Sequence, residues 1–175
     1  MMAIKIAGML LTLASSTALG LYLSSLPTLR QQDLREIKKA LLILKSEIEY
    51  IATPLPQAVA NIAIRINAPI SKLFECFADS LKLNPEGETA YRLWLSAIET
   101  TKEGSFLKKD DLEIIGNFGK TLGYLDKQMQ VDSINFTIDY IDSQVGQLQE
   151  NNEKTQKMYR SLGVIGGILL LVVFW

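Results

Sequence analysis

Charge is absent from both ends of this chain and crowded into its middle, and that distribution limits the fold more than any motif does. Every charged side chain except Lys5 falls between Arg30 and Arg160. Residues Ile6 to Leu26, IAGMLLTLASSTALGLYLSSL, make an uncharged run of 21, and about 20 apolar residues let a helix cross a bilayer. The closing LGVIGGILLLVVFW, Leu162 to Trp175, is also uncharged but holds only 14 residues. As a helix it covers about 21 Å against a hydrocarbon core of about 30 Å. It therefore spans with local thinning of the bilayer or inserts part-way, and Trp175 suits the interface.

The first run has two readings. One is a retained transmembrane anchor. The other is a cleaved signal peptide, with Lys5 as its basic start and Ser16-Thr17-Ala18 as its cleavage site. The anchor is favoured because the apolar run continues beyond Ala18, further than a signal peptide needs. Basic residues flank both apolar runs: Arg30, Arg35, Lys38 and Lys39 after the first, Lys154, Lys157 and Arg160 before the second. The positive-inside rule then turns the middle toward the cytoplasm, with these side chains as a membrane-facing basic face against anionic lipid. The expected organisation is an anchor over 1–27, a cytoplasmic helical bundle over 28–160 and a membrane segment over 161–175.

The middle carries 17 Lys/Arg and 19 Asp/Glu. That near balance argues against nucleic-acid binding, which calls for a clear basic excess. There is no histidine and a single cysteine, Cys76. Ser-His-Asp, Cys-His and zinc-histidine chemistry, and an intramolecular disulfide, are thereby excluded for one chain.

Helical periodicity runs through the middle. Leu34, Ile37, Leu41, Leu44, Ile48 and Ile51 step by three and four, as do Val131, Ile134, Ile138, Ile141, Val145 and Leu148. Each set is an apolar stripe on one helix face. Shorter helices are marked by Val59–Ile66, Ile70–Leu81, Tyr91–Ile98 and Leu112–Leu122, separated by proline and glycine breaks such as Asn84-Pro85-Glu86-Gly87. The fold class is all-α: an antiparallel six-helix bundle flanked by the two apolar segments.

The first long helix leaves the membrane and the last returns to it, so their far ends should lie together. Thr53-Pro54-Leu55-Pro56 would then sit near Gly119-Lys120-Thr121-Leu122-Gly123, forming a membrane-distal tip. Pro54 stops the first helix and Pro56 fits the first turn of the next. The candidate partner-binding residues are Glu47, Glu49, Thr53, Pro54, Leu55 and Pro56, with Gly119, Lys120, Leu122 and Gly123. Glu47 and Glu49 are two apart and do not share a helix face. They are therefore no acid/base pair: one is expected in solvent and the other toward the tip.

Gly119-Lys120-Thr121 looks like the end of a phosphate-binding loop, but that motif needs glycine at 114, which is Ile114, and a preceding strand. Close helix packing or a helix end explains the glycines better. Asp132, Asp139 and Asp142 lie on a polar helix face and are expected in solvent. Cys76 is expected in the core beside Phe74 and Phe77. The residues offer no catalytic group, no metal site and no cofactor site.

Three stretches carry a resemblance: SEIEYIATPLPQA (46–58), FGKTLGYLDKQMQ (118–130) and NEKTQKMYRSLGVIGGILLLVV (152–173). In this order after an apolar start, the chain resembles the stage III sporulation protein AB family over essentially its whole length. That family is similar to the platform proteins of type II secretion and type IV pilus systems, whose cytoplasmic domains are six-helix bundles. The resemblance implies a non-enzymatic part of the channel joining mother cell and forespore in endospore formers. The chain would sit in the mother-cell membrane around the forespore, its bundle in the mother-cell cytoplasm. Implied partners are the secretion-type ATPase and other stage III channel proteins. Platform proteins usually carry two bundles, so a platform made from this chain calls for self-association. The alternative, from the residues alone, is a membrane-anchored ligand-binding or regulatory subunit.

Overall fold

The computed structural model describes the backbone except at positions 1, 52, 85, 86, 124, 125 and 175, and the side chains except at those and at 2–7, 9, 10, 13, 151–157, 159, 160, 162–164 and 166–174. Among the described residues six α-helices follow in order: α1 (Met2–Ser46), α2 (Leu55–Ala63), α3 (Ile70–Leu83), α4 (Ala90–Thr101), α5 (Lys109–Phe118) and α6 (Lys127–Phe174). Among the described residues there is no strand. The chain divides into two compact units, Arg30–Val145 and the pair Met1–Leu29 with Gly146–Trp175. Helix α1 runs on through Pro27 without a break.

In the unit Arg30–Val145 the short helices pack in sequence, α2 on α3, α3 on α4 and α4 on α5. Leu34, Ile37, Leu41 and Leu44 of α1 and Val131, Ile134 and Ile141 of α6 are buried as their spacing predicts. Full burial of each large apolar side chain contributes about 1.5–3 kcal/mol. Helices α1 and α6 are antiparallel: Lys45 Nζ donates to Asn135 Oδ1 at 2.9 Å, and Lys38 Nζ donates to Asp142 Oδ1 at 2.6 Å. Asp126 caps α6, its Oδ1 accepting the Met129 N–H at 3.1 Å, close to the start expected from sequence.

Trp94 of α4 is the hub of the core. Its ring lies edge-on to Phe74, Phe77 and Phe118 at centroid distances of 5.5, 5.1 and 6.0 Å, the favoured geometry for aromatic pairs. Its Nε1–H donates to the Ile115 carbonyl at 2.9 Å, so burial leaves no indole donor unpaired. The backbone of Gly119 presses against the same indole: a Cβ there would lie 2.1 Å from Trp94 Cδ1. Glycine is required by that close approach. Cys76 is half-buried rather than fully in the core.

In the other unit, hydroxyls inside α1 turn back onto its own backbone. Ser15 donates to the Leu11 carbonyl at 2.8 Å, Ser24 to Leu21 at 2.7 Å and Ser25 to Tyr22 at 2.7 Å. Leu11 and Leu19 are exposed. Among the described residues no helix is long and apolar enough to cross a membrane. The expected first span lies in part, and the expected C-terminal segment almost entirely, outside the described side chains.

Candidate functional site

The far end of α1 ends in a π-helical turn, Glu47–Ile51. A π turn takes one more residue than an α turn, and the extra residue shifts the buried face. Ile51, expected as the last residue of the apolar stripe, is instead 63% exposed, while Glu47 is buried. The Glu47 carboxylate accepts from the Thr53 hydroxyl and, at 3.4 Å, from Asn61 Nδ2. It thus ties the π turn to the residue ahead of α2 and to the last turn of α2. This corrects the expectation of Glu47 as a contact residue: burying a carboxylate without partners is expensive, and this one is spent on holding the turn. Glu49 is half-buried, and its carbonyl accepts from Lys127 Nζ. That bond brings the end of α1 to the start of α6.

Pro54 occupies the N-cap of α2 with extended ψ of 137°, and Pro56 lies in the first turn, as the sequence predicts. Pro54 is exposed; Thr53, Leu55 and Pro56 are half-buried. Beside them Tyr50 is 82% exposed. Sequence reading did not select Tyr50, because nothing in the helical period marks a residue that a π turn will turn outward.

The glycine run packs against the start of α4. Gly119–Thr121 is a 3-10 turn ending α5, and Gly123 takes φ of +83°, the left-handed conformation that favours glycine. Lys120, Leu122 and Gly123 line an open cleft of about 590 Å³ with Thr89, Ala90 and Tyr91 at the start of α4. Gly119 and Leu122 are buried. Gly119 is therefore a packing residue and not a partner contact, Leu122 packs inward while lining the cleft, and Lys120 and Gly123 keep the surface. The close packing on Trp94 accounts for this run, as the glycine spacing suggested.

The expected basic face is also revised. Arg30 is buried, with its guanidinium on Asp111 of α5: Nε to Oδ2 and Nη2 to Oδ1, both at 2.8 Å. Arg30 Nη2 also donates to Gln144 Oε1 at 2.8 Å, Tyr140 Oη donates to Asp111 Oδ1 at 3.1 Å, and the Lys108 N–H donates to Asp111 Oδ2 at 2.8 Å. A face turned to lipid headgroups cannot include a side chain spent this way. Lys38 pairs with Asp142, so Asp142 is not simply solvated. Arg35 and Lys39 are exposed, and Lys154, Lys157 and Arg160 lie outside the described side chains.

Burial pushes the Asp111 carboxyl up, but the Arg30 guanidinium and the Lys108 N–H outweigh it and hold the group below the usual carboxylate range. Arg30 is raised by its hydrogen bond to Asp111. Burial and the Asp111 charge push the Tyr140 phenol up to about 12. Nearby, burial raises Asp33, which accepts the Phe106 N–H at 2.7 Å. Arg30 and Asp33 thus clamp the α4–α5 connection onto α1. These groups satisfy one another, which is the behaviour of a structural network. Among the described residues no group of three or more His, Cys, Asp or Glu side chains is placed to hold a metal ion.

A signal for the missed residues existed. Arg30 lies four before Leu34 and seven before Ile37, and Asp111 lies four before Ile115 and seven before Phe118. Each charge is in register with a buried apolar stripe, and the two are of opposite sign.

Fold and tip together define a class: an all-helical bundle closed at one end by a π turn, with its polar interior spent on clamping helices. Comparison with known proteins narrows it. The chain belongs to the family "Stage III sporulation protein AB", which matches residues 5–175, and so takes its place among sporulation proteins. It is 29% identical over 170 residues to the stage III sporulation protein AB of Bacillus subtilis (strain 168), covering 97% of this chain and 98% of that protein. A solved structure of a stage III sporulation protein AB superposes with a TM-score of 0.65 at 28% identity, covering 71% of this chain and 96% of that one.

Proposed function

We propose that this chain is a non-enzymatic membrane platform component of the channel joining mother cell and forespore. Its apolar ends hold it in the mother-cell membrane around the forespore, and its bundle lies in the mother-cell cytoplasm. The tip docks the secretion-type ATPase, with other stage III channel proteins as neighbours. Energy for assembly or transport comes from that ATPase.

The observation that carries this reading is the extent of the family match, which takes in the bundle and nearly all of both apolar ends. Tyr50 and Pro54 supply an exposed, semi-rigid contact at the end of α1, and tyrosine is enriched at binding hot spots.

The test is recovery of the ATPase by the full chain from sporulating cells. Tyr50→Ala with Lys120→Glu should lower recovery several-fold, while circular dichroism stays native. Unchanged recovery by the folded variant removes the tip from the interface. Release of the chain by alkaline carbonate would remove the membrane anchor.

A further inference from the structure

Two surfaces on the flanks of the bundle have no role in the tip. The first is a groove between α1 and the α2 side, with apolar walls of Leu42, Ile43 and Ile51, Ser46 and the internally bonded Glu47 between them, and cationic edges at Lys39 and Arg65. Leu42 is 49% and Ile51 63% exposed. Neither Lys39 nor Arg65 makes an ion pair among the described residues. The second is the face of α6 turned away from the core. Met129, Asp132, Phe136 and Asp139 follow at steps of three, four and three, all exposed. Phe136 is 66% exposed, a large aromatic left in solvent between two carboxylates. Asp132 accepts from Gln128 Nε2 at 2.9 Å, within its own helix.

We infer that the groove of one copy receives the α6 face of a second copy. The surfaces are complementary in kind: an apolar channel with two free cations against an apolar stripe with two carboxylates. They also agree in height along the bundle. Lys45 meets Asn135 and Lys38 meets Asp142, so within one molecule Met129 lies level with Ile51, Phe136 with Leu44 and Asp139 with Leu41. Two copies standing parallel and side by side, with no shift along the axis, therefore bring Met129 to Ile51. Phe136 then lies beside Leu42 and Ile43, and Asp139 near Lys39 and Arg65.

The contact is heterologous: one surface meets a different surface on the next molecule. Such contacts build rings when the rotation closes without a rise, and filaments when a rise accumulates. Matching heights give no rise, so successive copies stand side by side in one plane as parallel bundles, and they form a ring where the rotation between neighbours closes. The stripe from Met129 to Asp139 is about 15 Å long, a contact at the small end of specific interfaces. Association is therefore weak in solution and favoured wherever copies share one plane. Tyr50, Pro54 and Lys120 are not used, so failure of this inference and failure of the proposed docking are separable.

The test uses the full 175-residue chain dispersed in detergent, in a Cys76→Ser background. Two differently tagged copies are mixed, one carrying Leu42→Cys and the other Phe136→Cys, and treated with a short thiol crosslinker. A crosslink between the two tags is expected, and the double variant Leu42→Cys/Phe136→Cys should give a ladder. No crosslink, or Leu42→Cys joining only to itself, overturns the contact; the latter indicates a two-fold dimer. Sedimentation gives the second arm. Lys39→Glu/Arg65→Glu should weaken association on the order of tenfold, since two exposed attractions become repulsions. Adding Asp132→Lys/Asp139→Lys should restore it. Loss without rescue, or a wild-type chain that is monomeric at every concentration, refutes the inference.

Discussion

Removing either member of the Arg30–Asp111 pair should destabilise the bundle more than removing both. Asp111 is fully buried and Arg30 is 7% exposed. Arg30→Met leaves a carboxylate in the core with only the Lys108 N–H and the Tyr140 hydroxyl as donors. Asp111→Leu leaves a guanidinium with only Gln144. Breaking a buried pair from one side costs about 3–5 kcal/mol, a large part of a typical total stability of about 5–15 kcal/mol. The double variant carries neither charge and fills the space with apolar groups, a replacement that is often neutral. What remains unpaired is the Lys108 N–H, at about 1–3 kcal/mol, because Tyr140 and Gln144 are only half-buried and can reach water. The expected loss for the double variant is therefore about 1–3 kcal/mol, no more than either single variant, with a coupling of at least about 3 kcal/mol. Urea unfolding of the full chain in detergent at neutral pH, followed by circular dichroism, measures all four corners of the cycle. Additive losses, or single variants within about 1 kcal/mol of wild type, would refute the assignment of this pair as the clamp on α5.

The same network sets the pH dependence. Asp111 is held below its ordinary value, so its stabilisation is full above the unfolded pKa of about 3.9 and is lost as pH falls through the folded value. Asp33, raised by burial, acts in the opposite sense: its contribution is present below about 3.9 and lost as pH rises through its folded value. Tyr140 is raised to about 12, so its contribution is present below the unfolded pKa of about 10 and lost as pH rises through the folded one. Tyr140→Phe should flatten that alkaline decline in a stability–pH profile; an unchanged slope would place the titration elsewhere. At Gly119 an added Cβ meets a fixed indole ring, so Gly119→Ala should lower stability by about 1–3 kcal/mol. Gly116→Ala meets the flexible end of Leu95 at 3.3 Å and should be much milder in the same thermal melt. Equal effects would mean that the Gly119 turn moves freely off Trp94.

Much of the bundle can be read from spacing because burial alone decides it. Leu34, Ile37, Leu41 and Leu44, and Val131, Ile134 and Ile141, take the faces their period predicts, with Ile138 half-buried between them. The helix stop at Pro54, the first-turn place of Pro56 and the left-handed Gly123 follow from backbone sterics local to each residue. Other features depend on partners far away in sequence. Arg30 finds Asp111 across 81 positions, and a reading that grouped Arg30 with its basic neighbours passed over its place on the apolar face. The π turn is set by the Glu47–Thr53–Asn61 bonds, and no local pattern announces it. Glu47 therefore moved from surface to interior, and Ile51 the other way. At the tip, the π turn reaches the start of α6 through Lys127 and Glu49, whereas the glycine run faces the start of α4.

The hub at Trp94 gives this fold its own optical reporter. The chain has two tryptophans, Trp94 and Trp175, so Trp175→Phe leaves a single emitter. That indole is shielded from water, ringed by three phenylalanines and pressed on Gly119. Its fluorescence should be blue-shifted in the folded bundle and move red as α3, α4 and α5 separate. Because the Gly119 turn leads directly into the cleft lined by Lys120, capture of a partner there would change the emission without any added label.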